Sequence, residues 1–214
     1  MPGFYDDVRP LDPAERAALN AVLPWAEAEW RAVARAPQPW GEAEYTLHER
    51  TSARPTLEIN GIAGGFYGEG FKTVLPARAL AKISCRLVPD QQPARIYELV
   101  RDHIARITPP TVRSAVRLVE SGAPGLLIDR DAPAMRAAAA AYEKGWGRCP
   151  IFMREGGSVP IAATFQRALD ADLVFMPFGY KGCGAHGPNE HVYIEMFHKG
   201  IDTAIYFMQE IGAR

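Results

Sequence analysis

The segment GCGAHGPNEH, residues 182–191, places His186 in a glycine-flanked loop with Glu190 four positions later. A neutral imidazole is a common ligand for divalent metals. The loop follows a near-continuous apolar run at 172–179, which predicts a strand buried on both faces. Because active sites of open α/β sheets lie at the carboxyl ends of their strands, His186 is a candidate metal ligand. An ordinary packed loop histidine is the alternative.

Two further segments carry groups that suit a carboxylate. In REGGSVP (154–160), a Gly-Gly-Ser turn precedes a predicted helix, whose free N–H groups and dipole favour an anion. A plain N-cap by Ser158 is the alternative. Arg86, on a predicted strand, can donate two hydrogen bonds to one carboxylate, or it is an ordinary solvated arginine.

Cysteine chemistry and the remaining histidines give no comparable signal. Cys183 has no partner at nucleophile spacing, so a cysteine protease is not expected. The other four histidines fit no common ligand spacing and are interpreted as structural or exposed: His48, His103, His191 and His198.

Composition excludes several classes of protein. The 214 residues are 48% hydrophobic, enough for a sizeable core. The 24 Lys and Arg residues nearly balance 25 Asp and Glu and are scattered, so no nucleic-acid surface is expected. Three distant cysteines argue against a disulfide framework and favour the cytoplasm. Neither a secretion signal nor an apolar run of about 18 residues is present, so no membrane partner is expected.

The first half predicts an α+β layer. Asp12 and Pro13 predict the start of a helical region that extends to residue 35, and Pro24 divides it into two helices. An amphipathic helix is predicted at 93–107. Alternating apolar residues predict three strands of a small antiparallel sheet, with that helix on one face: 54–62, 78–88 and 111–120.

The second half predicts part of an α/β layer. A hinge at 121–133 leads to a helix with Asp131 as its cap and Gly145 as its stop. Two more helices are predicted at 158–169 and 190–212. A single strand cannot make a sheet, so this layer is expected to be incomplete.

Five segments, taken in order, resemble one known family: PGFYDDVRPL, RPTLEINGI, GEGFKTVLPARALAKISCRLVPDQ, REGGSVPI and GAHGPNEH. The family is the two-zinc peptidases of carnosine dipeptidase, acetylornithine deacetylase and succinyl-diaminopimelate desuccinylase (peptidase family M-twenty), with the dipeptidase branch most similar. The likeness covers almost the whole chain. It implies a lid at 1–120, a ferredoxin-like dimerisation domain lacking its first strand and helix. It also implies the C-terminal part of an α/β zinc-peptidase catalytic domain at 121–214.

The resemblance also implies roles for particular residues. His186 corresponds to a ligand of one of two divalent metals, with zinc expected. Arg86 corresponds to an arginine that binds the substrate carboxylate, and Thr73 to a lid threonine that reaches a neighbouring subunit's site. Three residues correspond to a substrate-contacting loop: Glu155, Gly157 and Ser158.

The family's other metal ligands have no counterpart, since the chain contains no His-x-Asp and no Glu-Glu pair. The chain is therefore predicted to be the C-terminal portion of a zinc-dependent dipeptidase. It is expected to have no catalytic residue of its own, no tightly bound metal and no activity alone. Two alternatives stay open: a non-catalytic oligomerisation or amino-acid-binding module, and a subunit complemented by a separate N-terminal chain. A homodimer or higher oligomer is expected, with a dipeptide as substrate of the intact enzyme.

Overall fold

A computed structural model describes residues 1–119, 122–155, 159, 161–180 and 182–213. The chain divides into two compact units. The first unit comprises Met1–Gly125 and Arg154–Pro160. The second comprises Leu126–Met153 and Ile161–Arg214. Both contain helices, and the sheet lies in the first unit, so the predicted mixture of helices with a small antiparallel sheet is confirmed.

Asp12 and Pro24 set the helix boundaries at the start of the first unit. The Asp12 carboxylate accepts a hydrogen bond of 2.8 Å from the Glu15 amide, and Pro24 lies in the first turn of the second helix. The predicted division into two helices is therefore confirmed. In the described residues, the helices of this unit are α1 Pro13–Asn20, α2 Leu23–Ala34, α3 Leu47–Ser52 and α4 Pro93–Ile107.

A buried carboxylate joins α1 to α3. The Glu49 side chain is 0% exposed. It accepts hydrogen bonds from Arg16 Nε at 2.6 Å, Asn20 Nδ2 at 3.3 Å and the Thr46 amide at 2.7 Å. The Thr46 hydroxyl accepts the Glu49 amide in return, which completes a capping box. Burial alone would raise the pKa of Glu49, but the hydrogen bonds from Arg16 and Thr46 outweigh it and hold the pKa below its ordinary value.

The sheet has two antiparallel strands, β1 Thr56–Gly64 and β2 Ala79–Arg86. These match two of the predicted strands. The third, predicted at 111–120, is wrong for residues 111–119, which pair with neither strand; residue 120 lies outside the described residues. Instead, the Tyr97 hydroxyl donates to the Val116 carbonyl at 3.4 Å. An alternating apolar pattern predicts which side chains of a strand share a face. It does not determine whether the strand finds a second strand to pair with.

A bulge in β1 keeps one face of the sheet apolar. Leu57 and Ile59 lie opposite Cys85 and Ile83, and the register then shifts between Ile59 and Gly61. This extra residue returns Ile62 to the same face. The face is open in the described residues, since Leu57, Ile59 and Ile62 are 42%, 58% and 79% exposed.

The second unit is built on two packed helices. Its helices are α5 Pro133–Trp146, α6 Ile161–Leu169 and α7 Ile194–Gly212. The predicted caps of α5 are wrong: Ala132 precedes the helix, and Gly147, at φ +69°, ends it. Gly145 lies inside α5. A Cβ at this position would collide with the Thr203 hydroxyl of α7, so the close approach of the two helices requires a glycine here. That hydroxyl accepts from Trp146 Nε1 at 3.0 Å.

Residues 172–179 do not form the predicted doubly buried strand. They lie against the helix pair instead. The Tyr142 hydroxyl donates to the Pro177 carbonyl at 2.7 Å, and burial raises the pKa of Tyr142 to about 12, so this donor stays protonated. The Phe178 ring packs against Gly200. A strand buried on both faces belongs to a sheet that is covered on both faces, and the described part of the second unit contains no strand with which it could pair.

The longest helix, α7, has two different faces. Gly200 and Thr203 are buried on one. The other exposes six apolar side chains: Ile194, Phe197, Ile201, Ile205, Met208 and Ile211. No helix within the described ranges combines the length and low polarity needed to cross a membrane.

Replacing Glu49 with Gln is expected to lower the free energy of unfolding by about 1–2 kcal/mol, because hydrogen bonds to a charged group are the stronger ones. Glutamine keeps the shape and can still cap α3. Urea unfolding followed by circular dichroism measures the loss. Glu44→Gln is the matched control, since the Glu44 side chain is exposed, and it is expected to change stability by less than about 0.5 kcal/mol. Equal effects of the two variants would contradict the role given to Glu49.

The stability difference between the wild-type chain and Glu49→Gln is expected to shrink as the pH falls. The pKa of Glu49 is lower in the folded chain than in the unfolded one, so its ionised form stabilises the fold above the ordinary carboxyl pKa. That contribution is lost as the pH falls through the folded-state pKa. Urea titrations from neutral to acidic pH measure the difference, and a constant or growing difference would refute the assignment.

Candidate functional site

The loop that carries His186 is closed by two backbone hydrogen bonds. The His191 amide donates to the Cys183 carbonyl at 2.8 Å, and the Gly187 amide donates to the Gly184 carbonyl at 2.8 Å. His186 is exposed and has φ +62°, in the left-handed region. This conformation costs a residue with a Cβ about 1–2 kcal/mol. The closed loop therefore holds His186 in a disfavoured backbone conformation and presents its imidazole to solvent.

An aromatic cluster stands at the base of this loop. The rings of Tyr180 and Tyr193 stack with centroids 4.7 Å apart. The Tyr180 oxygen lies 2.7 Å from His191 Nε2, and His191 Nδ1 lies 2.7 Å from the Asn189 carbonyl oxygen. A carbonyl can only accept, so Nδ1 carries the proton and Nε2 of the neutral ring accepts from Tyr180. Side chains at both ends of the loop are thereby joined.

The Tyr180 phenol also interacts with Tyr193. A hydrogen bond with Tyr193 raises the pKa of Tyr180 to about 12, so the hydroxyl keeps its proton at neutral pH. Sequence analysis missed this cluster because it considered histidines only as metal ligands. A signal was present: His191 and Tyr193 are two residues apart in the segment before α7, and in an extended chain such residues point to the same side.

Metal binding at His186 needs further ligands. No group of three or more His, Cys, Asp or Glu side chains that could hold a metal ion occurs in the part of the chain that the structure describes. Zinc sites use three or four protein ligands. The described residues therefore do not complete a metal site, and His186 can act only as one member of a shared ligand set.

Three of the predicted substrate-binding residues lie in the first unit: Thr73, Arg86 and Glu155. Thr73 is exposed in the loop between β1 and β2, whereas Arg86 is the last residue of β2, at the other end of the hairpin. At about 3.3 Å per residue, Arg86 is roughly 23 Å from the start of its strand. The loop that carries Thr73 therefore joins β2 at the end opposite Arg86.

Glu155 is exposed and follows Arg154, whose Nε lies 2.5 Å from a carboxylate oxygen of Glu15. This ion pair ties the segment before Glu155 to α1. Gly157 and Ser158, with the Gly-Gly-Ser turn, lie outside the described residues. His186 belongs to the second unit, so the ion pair and the sheet do not locate it relative to Arg86 or Glu155.

Comparison with known proteins gives a consistent set of relatives. The Cys-Gly metallodipeptidase of Schizosaccharomyces pombe is 30% identical over 217 residues, which cover 100% of this chain and 45% of that protein. The human Beta-Ala-His dipeptidase is 31% identical over 202 residues, covering 91% of this chain and 39% of that protein. The chain thus spans less than half the length of these relatives, whose names describe dipeptidases and, in one case, a metal-dependent enzyme.

Solved structures agree with the sequence comparison. The dipeptidase Dug1p of Saccharomyces cerevisiae has a TM-score of 0.80 and 29% identity, covering 100% of this chain and 45% of its own. The M20 family metallo-carboxypeptidase Sso-CP2 of Sulfolobus solfataricus has a TM-score of 0.83 and 26% identity, covering 97% of this chain and 47% of its own. Residues 14–112 match the model of a peptidase dimerisation domain. This chain belongs to the M20 peptidase family and carries its dimerisation domain.

Proposed function

We propose that this chain supplies the C-terminal share of a metal-dependent dipeptidase. In this proposal, residues 1–120 form the lid and dimerisation part, and residues 121–214 form the last part of the catalytic domain. The observation that carries the proposal is the end-to-end likeness to a metallodipeptidase more than twice as long. The compact units of the structure, with the sheet in one and the His186 loop in the other, support this division, except that Arg154–Pro160 belong to the first unit.

His186 is the proposed metal ligand of this chain. Its ring is exposed and held at the outer end of a closed loop, so it is accessible to a cation. A bound divalent metal, with zinc proposed, would supply Lewis-acid chemistry to the intact enzyme. Since the described residues offer no complete ligand set, the acidic ligands would come from other residues of a longer protein or from a separate chain. His186 itself must be neutral to bind a metal.

Arg86 and Thr73 are the proposed substrate contacts of the first unit. A guanidinium can donate two parallel hydrogen bonds to the terminal carboxylate of a dipeptide, which fixes its orientation. The loop that carries Thr73 joins β2 at the end opposite Arg86, which supports roles for the two residues in different sites of a dimer. Glu155 is the proposed contact of the neighbouring substrate loop, together with Gly157 and Ser158 from its turn.

A non-catalytic module is the second candidate function. The match of residues 14–112 to a dimerisation domain favours it, as does the lack of a metal-holding group among the described residues. Such a module would dimerise and bind an amino acid or dipeptide without hydrolysing it. The two functions differ in one measurable respect, because only the dipeptidase share gains metal-dependent hydrolysis when the missing ligands are provided.

The chain alone is expected to hold no stoichiometric zinc and to hydrolyse no dipeptide, because one imidazole does not form a zinc site. Elemental analysis of the purified chain and a dipeptide hydrolysis assay test this. Mixing the chain with the N-terminal half of a dipeptidase relative is expected to produce zinc-dependent hydrolysis. Close to two equivalents of tightly bound zinc with turnover by the chain alone would contradict the proposal.

In that mixture, His186→Ala is expected to reduce the rate of hydrolysis strongly. Loss of a residue that only contacts a metal ligand costs roughly 10–100-fold, and loss of the ligand itself is expected to cost more. His198→Ala is the matched control, since His198 is an exposed histidine on α7 of the same unit, and it should leave the rate unchanged. Equal rates for the two variants would exclude His186 as a ligand.

Arg86→Ala is expected to weaken dipeptide binding about 10-fold or more, because a charge-assisted hydrogen bond contributes roughly 1.5–3 kcal/mol. Lys82→Ala is the matched control: Lys82 is a cation on the same strand, four residues before Arg86, and therefore on the same face. Isothermal titration calorimetry with and without metal measures both variants. Micromolar binding by the wild-type chain without metal would favour the non-catalytic module, and equal losses in both variants would refute a specific role for Arg86.

A further inference from the structure

We propose that Tyr180 and His191 are positioning residues, which clamp the loop 182–191 so that His186 is presented for metal binding. The inference rests on the proposed role of His186 as a ligand, and it assigns a function to a histidine that the sequence left as structural or exposed. The clamp is the pair of contacts made by the His191 ring, one to Tyr180 and one to Asn189.

The first step of the argument is the position of the clamp in the chain. Tyr180 lies just before the loop, and His191 is the last residue of the loop. Their side-chain contact of 2.7 Å lies next to the backbone bond from the His191 amide to the Cys183 carbonyl. The loop is therefore closed twice at its base, once through the backbone and once through side chains.

The second step is the strained backbone inside the loop. Two residues that have a Cβ, His186 and Asn189, adopt φ +62°. Such conformations persist only where surrounding contacts impose them. The Asn189 carbonyl is the acceptor for His191 Nδ1 at 2.7 Å. The clamp thus acts directly on one of the two strained residues, three positions after the proposed ligand.

The third step is the chemical state of the His191 ring. Its Nδ1 faces an obligate acceptor and its Nε2 faces a hydroxyl. The neutral ring therefore takes the Nδ1–H form and uses both nitrogens within the clamp. Tyr193 stacks on Tyr180 and holds the phenol in place. His191 has no ring nitrogen left for a metal, which separates its role from that of His186.

Nuclear magnetic resonance of the full 214-residue chain tests the clamp without metal or activity. Nitrogen-15 spectra of the histidine rings are expected to show His191 in the Nδ1–H form, with the signal assigned by its loss in His191→Phe. Backbone heteronuclear NOE values at Ala185, His186 and Gly187 are expected to fall in Tyr180→Phe, which loses the hydroxyl and keeps the ring. Tyr206→Phe, which removes a hydroxyl from α7, should leave them unchanged.

A His191 ring in the Nε2–H form, or loop NOE values in Tyr180→Phe equal to those of the wild type, would overturn the proposal. The ring measurement is made on the wild-type chain, so it decides even if Tyr180→Phe fails to fold.

In the complemented enzyme, Tyr180→Phe is expected to raise the metal concentration for half-maximal hydrolysis up to about 10-fold, with the maximal rate retained. An unchanged metal requirement would count against the clamp. Absence of hydrolysis in every chain, with the ring and loop results as expected, would refute the proposed function and leave the clamp in place.

Discussion

The close approach of α5 and α7 sets the geometry of the second unit. Gly145 has no Cβ, so the Thr203 hydroxyl reaches the backbone of α5 and accepts a hydrogen bond from Trp146. The same helix pair then holds the apolar segment through the bond from Tyr142 to the Pro177 carbonyl. Tyr180 follows three residues later. The position of the His186 loop therefore depends on a contact between two helices that contain none of the loop's residues.

Ligand number limits what this arrangement can do by itself. The loop presents one imidazole in a fixed conformation, but a divalent cation needs several donors, and the described residues offer no such group. Preorganisation is useful when the remaining donors come from elsewhere, because a ligand that is already oriented loses little freedom on binding. The exposed apolar faces of β1 and α7 agree with a surface made for further contacts.

Local signals allowed much of the fold to be predicted, because Asp12 and Pro24 act on residues next to them in the chain, and 93–107 has a full apolar stripe. The strand predicted at 111–120 was wrong for its described residues, and the strand predicted at 172–179 was wrong too, because a strand forms only by pairing with a distant segment that its own sequence does not specify. Gly145 was taken as a stop because sequence does not show the approach of Thr203, 58 positions later. The His186 loop was found from its glycines and its place after an apolar run, whereas the bond from Tyr180 to His191 requires the folded turn.

The bulge in β1 sets the phase of the hairpin. Asn60 occupies the position that has no opposite residue in β2. Side chains alternate along a strand, so regular pairing with Asn60 opposite Lys82 would turn every later position of β1 to the other face. Ile62 would then lie opposite Leu80, on the face that carries Glu58 and Ser84. One residue without a partner in the ladder therefore keeps the two halves of β1 in phase, so that Leu57, Ile59 and Ile62 form one continuous apolar stripe.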